Sequence, residues 1–299
     1  MEKATFAGWG NCYRLSNGIF DLVVTSDIGP RIIRFGFINW ENEFKEFSEQ
    51  LGQQGGSEWL SYGGHRLWAA PEDKVMTYYP DNGRVRVEEV EDGLCFTANV
   101  EASMLIQKTM IVRIVGDAVV VDHKIVNKGD KPVDMSAWAL TVMAPGGTAI
   151  VPLPERGPHP LNLTPASRLI LWKYTNLKDA RWIFGERYIL AKQDEKQKRP
   201  QKLGFLAPDG WLAYANHGNL FIKKIRYMGD VNYPDMGSNL EVFFDDQILE
   251  LETLSPLKHV LPGDYVAHQE LWRLVEDVEV NEMTIDNVIL PIVDSMKFK

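Results

Sequence analysis

Short β-rich apolar runs separated by turn signals fill most of this chain, and some alternate with a period of two, the spacing of a strand with one face buried. Arg84–Val90 interleaves valine with charge, and Phe20–Thr25 and Arg31–Ile38 are β-rich runs separated by Gly29-Pro30. Leu94–Val100, Val112–Val115, Ala118–Val126 and Val133–Met143 read as further strands, as do Trp211–Asn216, Phe221–Tyr227 and Leu240–Phe244. Between them lie turn signals: Asn82-Gly83, Asp92-Gly93, Gly116-Asp117, Asn127 to Pro132, Asp209-Gly210 and His217-Gly218. Asn-Gly and Asp-Gly tolerate the positive φ that tight turns require. Turns recurring every ten or so residues predict an all-β sandwich or barrel. Glu41–Gln50 and Ala180–Arg187 are short helix candidates. The proline-rich Pro152–Pro160 and the mixed-charge Lys192–Pro200 read as surface loops.

The chain has 299 residues, and no repeat or linker divides it, so one domain spanning 1–299 is expected. The net charge is −9, which excludes a basic track for a nucleic-acid backbone. Cys12 and Cys95 fall in no CxxC or Cys/His pattern of metal spacing, and two cysteines suit a reducing, cytoplasmic setting. The N-terminus has no apolar leader, and no run reaches the ~18 residues of a membrane span. Nine tryptophans are many for this length. Aromatic faces pack cores, and they also stack on sugar rings.

Ile248–Leu254 carries the most telling pattern. As a strand it sets Leu249, Leu251 and Thr253 on one face and Ile248, Glu250, Glu252 and Leu254 on the other. Two acids on one face of an apolar strand point to a solvated surface or to the floor of a groove.

The ordered motifs resemble the galactose mutarotase-like superfamily, the aldose 1-epimerases and their relatives, as a divergent branch. Asp27-Ile-Gly-Pro-Arg-Ile-Ile33 resembles the family's first-sheet motif. Tyr62-Gly-Gly-His-Arg-Leu-Trp68 resembles the segment bordering the sugar site. His123-Lys-Ile-Val-Asn127 with Lys131-Pro132 resembles the strand and turn before the central motif. Leu249-Glu-Leu-Glu-Thr253 with Pro262-Gly263 resembles the strand bearing the catalytic glutamate. The resemblance implies a β-supersandwich of two large, mostly antiparallel sheets with a sugar or small oligosaccharide in a concave groove. It implies no metal and no cofactor. The chain departs from the family in the central motif, where the aldose 1-epimerases place a histidine as acid. Here the motif reads Ser136-Ala-Trp-Ala-Leu-Thr141.

Anomer interconversion needs a base at the anomeric hydroxyl and an acid at the ring oxygen. The resemblance makes Glu252 the base, with Glu250 beside it; a surface or salt-bridged glutamate is the alternative. His65 is the acid candidate, since it follows Gly63-Gly64, where bare backbone lets a ligand approach. His123 is the second, although a histidine beside Val119, Val121 and Ile125 is equally a core residue. Arg66 can offer planar, paired donors, and Trp138 a stacking platform. Arg31, Lys223 and His268 are weaker candidates. Glu72 or Asp73 is the distant acid a glycosidase would require. The competing expectation is a carbohydrate-binding protein that lost its catalytic histidine.

Overall fold

The computed structural model describes residues 1–298. The chain is all-β, built as a supersandwich of two large antiparallel sheets. The groove sheet has eleven strands. Its central strands run, side by side, Arg31–Phe37, Gly64–Ala70, Val133–Met143, Leu249–Leu254, Leu240–Phe244 and Gln201–Leu206. The second sheet has ten, centred on Trp211–Asn216, Asn219–Ile225, Tyr265–Val275, Ala118–Asn127 and Ile106–Val115.

The core between the sheets comes from the inward parity of both. Leu22, Ile32, Phe35, Leu249 and Leu251 from the groove sheet meet Val119, Val121, Phe221 and Trp272 from the second. The alternation of Leu249–Leu254 holds: Leu249 and Leu251 enter this core, and Glu250 and Glu252 face the other way. Register then sets side chains in rows, because directly paired residues on neighbouring strands share a face. Arg31, Arg66, Leu140, Glu252 and Glu241 form one such row across five strands, on the groove side. The next row, His65, Thr141, Leu251 and Val242, has the opposite parity and points at the second sheet.

The two expected helices are not formed. Residues 41–50 are turns and isolated bridges, and 180–187 contain the short strand Trp182–Phe184. Helix appears instead in the C-terminal stretch from Glu282 to Ser295. There Ile285, Ile289, Val293 and Met296 recur at helical spacing and cover the outer face of the second sheet, against Trp211, Leu220, Ile222 and Leu271. This segment covers part of the second sheet's outer face, whereas the groove sheet keeps one face for other use. Among the described residues, no helix is long and apolar enough to cross a membrane.

Ile289 is fully buried in that contact. Ile289→Ala should lower the unfolding free energy by about 2–5 kcal/mol in urea titration and speed amide exchange along the C-terminal segment. Unchanged stability would show that the segment adds nothing to the sheet beneath it.

Candidate functional site

The groove face of the first sheet closes into a cavity of about 350 Å3, within the usual range for small-ligand sites. Arg66, Trp68, Trp138, Lys202, Glu250 and Glu252 rise from its floor. Trp59, Glu72, Tyr78 and Tyr174 wall it. Trp68 and Trp138 are register partners, and their rings meet edge to face at 5.2 Å. Trp59, Trp68 and Tyr78 form a second aromatic set, with centroids 5.1–5.5 Å apart. A wider surface hollow of about 650 Å3 beside Arg181 and Arg199 is lined mainly by charged side chains and lacks aromatic walls.

Two ion-pair systems organise the floor. Arg66 meets Glu250 at 2.9 Å and lies over the Trp68 ring, 4.4 Å from its centroid. Lys202 bridges Glu241 at 2.7 Å and Glu252 at 2.8 Å. Its ammonium also stands 4.7 Å from the rings of both Trp138 and Trp172. Burial works to discharge Lys202, and the two carboxylates overcome it, holding its pKa well above the ordinary value. Burial pushes Glu241 far up, with Lys202 opposing. Glu241 and Glu252 thus share one ammonium between them. Glu250 is also raised by burial, against Arg66 and with Glu252 adding to the rise.

Glu252 is fully buried, and its Oε2 accepts from Trp138 Nε1 and Lys202 Nζ, both at 2.8 Å. Its other oxygen, Oε1, is buried without a hydrogen-bond partner. So are Trp59 Nε1 and Arg66 Nε, from the same cavity lining. Buried polar atoms are nearly always paired, so three orphans on residues that line one cavity require explanation.

The histidines lie elsewhere, which corrects the expectation of a histidine opposite Glu252. His65 and Arg66 are neighbours on a strand, so they cannot serve the same face. Arg66 takes the groove, and His65 turns into the space between the sheets. Gly63 and Gly64 serve the chain's own packing rather than a ligand's approach. A Cβ on either would come within 2.0 Å of Lys45 O or 2.2 Å of Ile32 O. His123 and Lys223 belong to the second sheet and reach the same buried cluster. Arg31 shares a row with Arg66, but its guanidinium ties down loops, donating to Ser61 O, Gly63 O and Asp81 Oδ2 at 2.7–2.9 Å. Of the residues named from sequence, the structure gathers Arg66, Trp138, Glu250 and Glu252 in the groove, with Glu72 at its rim.

The inter-sheet cluster is a chain of fixed tautomers. His123 Nδ1 donates to His268 O at 3.2 Å, so its Nε2 accepts from His65 Nε2 at 2.8 Å. His65 Nδ1 then accepts from the Thr141 hydroxyl at 2.8 Å. Glu270 gathers Lys223 at 3.0 Å, Trp272 Nε1 at 2.8 Å and the Thr253 hydroxyl, which His268 Nε2 reaches at 2.7 Å. Donor atoms of His65, His123 and Glu270 lie within 4.8 Å of one another, a spacing a metal ion could bridge. Each is already committed to a protein partner. Burial, then Lys223, depresses His65 well below its ordinary value and His123 to about 3. His268 falls to about 3 through burial, with Glu270 opposing.

Sequence reasoning missed Lys202, Glu241 and Trp59. Lys202 follows a charged loop, and its only signal was the alternation of Gln201-Lys-Leu-Gly-Phe205. Glu241 is the cross-strand partner of Glu252, a relation only register reveals.

No family model and no curated protein matches the chain. Solved structures do. The Slr1438 protein of Synechocystis sp. PCC 6803 aligns with a TM-score of 0.56 and 12% identity, over 92% of this chain and 100% of that one. A galactose mutarotase related enzyme from Lactobacillus acidophilus gives 0.55 and 12%, over 90% and 98%. A galactose mutarotase-like protein from Lactobacillus casei gives 0.56 and 8%, over 88% and 100%. The fold is that of the galactose mutarotase-like proteins. At these identities the likeness establishes architecture, and function must be argued from the site.

Because the unfolded chain binds protons that buried His123 refuses, stability should fall as pH drops from about 6.5 toward about 3. His123→Gln lacks that titration. The stability gap between wild type and H123Q, read from urea unfolding, should therefore shrink by a few kcal/mol across that window. A pH-independent gap would mean that His123 is not held neutral.

Proposed function

We propose that the groove binds a sugar and interconverts its anomers, with Glu252 as general base. The observation that carries this reading is the set of unpartnered polar atoms on the residues that line the cavity. Glu252 Oε1 is an acceptor without a donor, and Trp59 Nε1 and Arg66 Nε are donors without acceptors. A polyol supplies both, and the surrounding indole and phenol rings suit its C–H faces. Two of the structural neighbours, a galactose mutarotase related enzyme and a galactose mutarotase-like protein, point the same way.

In this reading Glu252 Oε1 takes the proton of the anomeric hydroxyl while Lys202 and Trp138 fix the carboxylate through Oε2. The ring oxygen must receive a proton from another groove residue. No histidine lines the cavity. Glu250 is the candidate, two residues along the same strand face and so about 6.5 Å away by strand rise. Burial raises its pKa, which suits a proton donor, and paired carboxyl groups in unlike environments commonly divide acid and base roles. Ring opening, rotation of the carbonyl and reclosure need no further group.

The absence of a histidine from the cavity lining favours a second reading, in which the groove binds its sugar without turnover. NMR anomer exchange across a panel of aldoses separates the two. Acceleration by wild type that falls at least ~100-fold in Glu252→Gln, with affinity kept within a few-fold, supports the base assignment. Saturable binding without acceleration leaves the binding protein. Acceleration that survives in E252Q removes Glu252 from the chemistry.

A further inference from the structure

The charge in the groove is not balanced, and its excess has a sign. Four acidic side chains line the cavity, Glu72, Asp245, Glu250 and Glu252, against two basic ones, Arg66 and Lys202, so the acids stay in excess by one even with Glu250 holding a proton. Both cations are committed. Arg66 is held by Glu250 and by the Trp68 face, and Lys202 lies between Glu241 and Glu252 with indoles on two sides. An incoming anion would find Arg66 Nε unpartnered, but on a guanidinium already paired with Glu250.

Of the charged groups of the lining, Glu72 and Asp245 have no basic partner among the described residues. Glu72 stands exposed at the rim, and its contact is a hydrogen bond from the Tyr78 hydroxyl at 2.5 Å. Asp245 accepts backbone N–H groups of Gln247 and Ile248 through Oδ1. Buried Glu252 Oε1 lacks a donor altogether. Glu72 and Tyr78 also line an adjoining hollow of about 740 Å3, where Asp73 and Asp235 outnumber Lys74. Excess carboxylates inside walls of low polarity focus a negative potential into both spaces. Aromatic faces beside carboxylates are also the setting in which an ammonium is best held.

We propose that the groove takes a sugar bearing an ammonium group, with Glu72 and the Tyr78 ring receiving the cation at the rim, and that it discriminates against phosphorylated and carboxylated sugars. This rests on the sugar-binding reading above and adds the ligand's charge. An amino group would supply the donor that the acidic rim lacks. A phosphate or uronate carboxylate would be desolvated beside carboxylates, a like-charge contact that suppresses wrong partners.

The test is isothermal titration of the full chain at about pH 6.5, below the range in which such amines lose their proton. The probes are glucosamine and galactosamine, their neutral parents glucose and galactose, and the matching 6-phosphates and uronic acids. The expected result is an amino sugar binding about tenfold tighter than its parent, about 1.4 kcal/mol, with each anion weaker than the parent. In Glu72→Gln, a change at an exposed position outside the core, the ratio of amino sugar to parent should fall to about threefold or less, and added salt should shrink it in wild type. Parent sugars that bind as well as amino sugars, anions that bind tighter, or a ratio unaltered in E72Q would overturn the proposal and leave the sugar-binding reading standing. No binding by any probe would overturn both.

Discussion

Lys202 is the pivot of the groove. Its ammonium joins three adjacent strands, reaching from Gln201–Leu206 across Leu240–Phe244 to Leu249–Leu254. A buried ammonium is tolerated only when its charge is answered and its protons are placed. Glu241 and Glu252 answer it, and Trp138 and Trp172 close around it. The orientation of Glu252 follows, because Lys202 and Trp138 occupy one carboxylate oxygen and leave the other without a partner. The aromatic floor depends on the same centre, since Trp138 is fixed both by its bond to Glu252 and by its packing on Trp68.

The position of Trp138 also bears on the resemblance to aldose 1-epimerases. Those proteins place a histidine in the central motif, and this chain places Trp138 there, with Leu140 and Thr141 following. The indole cannot donate a proton to a ring oxygen in the way an imidazolium can. What it does instead is hydrogen-bond to the glutamate on the neighbouring strand. In this chain the segment's indole holds the Glu252 carboxylate in place.

Much of this was legible from alternation alone. The strands Val133–Met143, Trp211–Asn216 and Leu240–Phe244 coincide with the apolar patterns that predict them, and the shared face of Glu250 and Glu252 follows from a period of two. Alternation also carried the information that His65 and Arg66 must part, since adjacent strand residues face opposite ways. Reading both into one site overlooked that parity. The C-terminal helix had its own signal in the four-residue spacing of Ile285, Ile289 and Val293. Lys202 and Glu241 were beyond reach for a different reason. Their importance lies in register, which pairs Glu241 with Glu252 and Lys202 with Phe243, and no local pattern states which strands become neighbours.

The polar cluster between the sheets has a mechanical meaning. Dispersion contacts are nearly indifferent to small sliding, whereas hydrogen bonds are directional and lengthen at once when two layers shear. Here His65 is bonded to His123, Thr253 to His268 and Glu270, and Lys223 to the carbonyl of Leu251, each bond running from one sheet to the other. These ties lie on the reverse side of the strands that carry Arg66, Glu250 and Glu252. They act as dowels through the middle of the sandwich, so the floor of the groove is pinned to a second rigid plate and its carboxylates keep their spacing when the rim loops move.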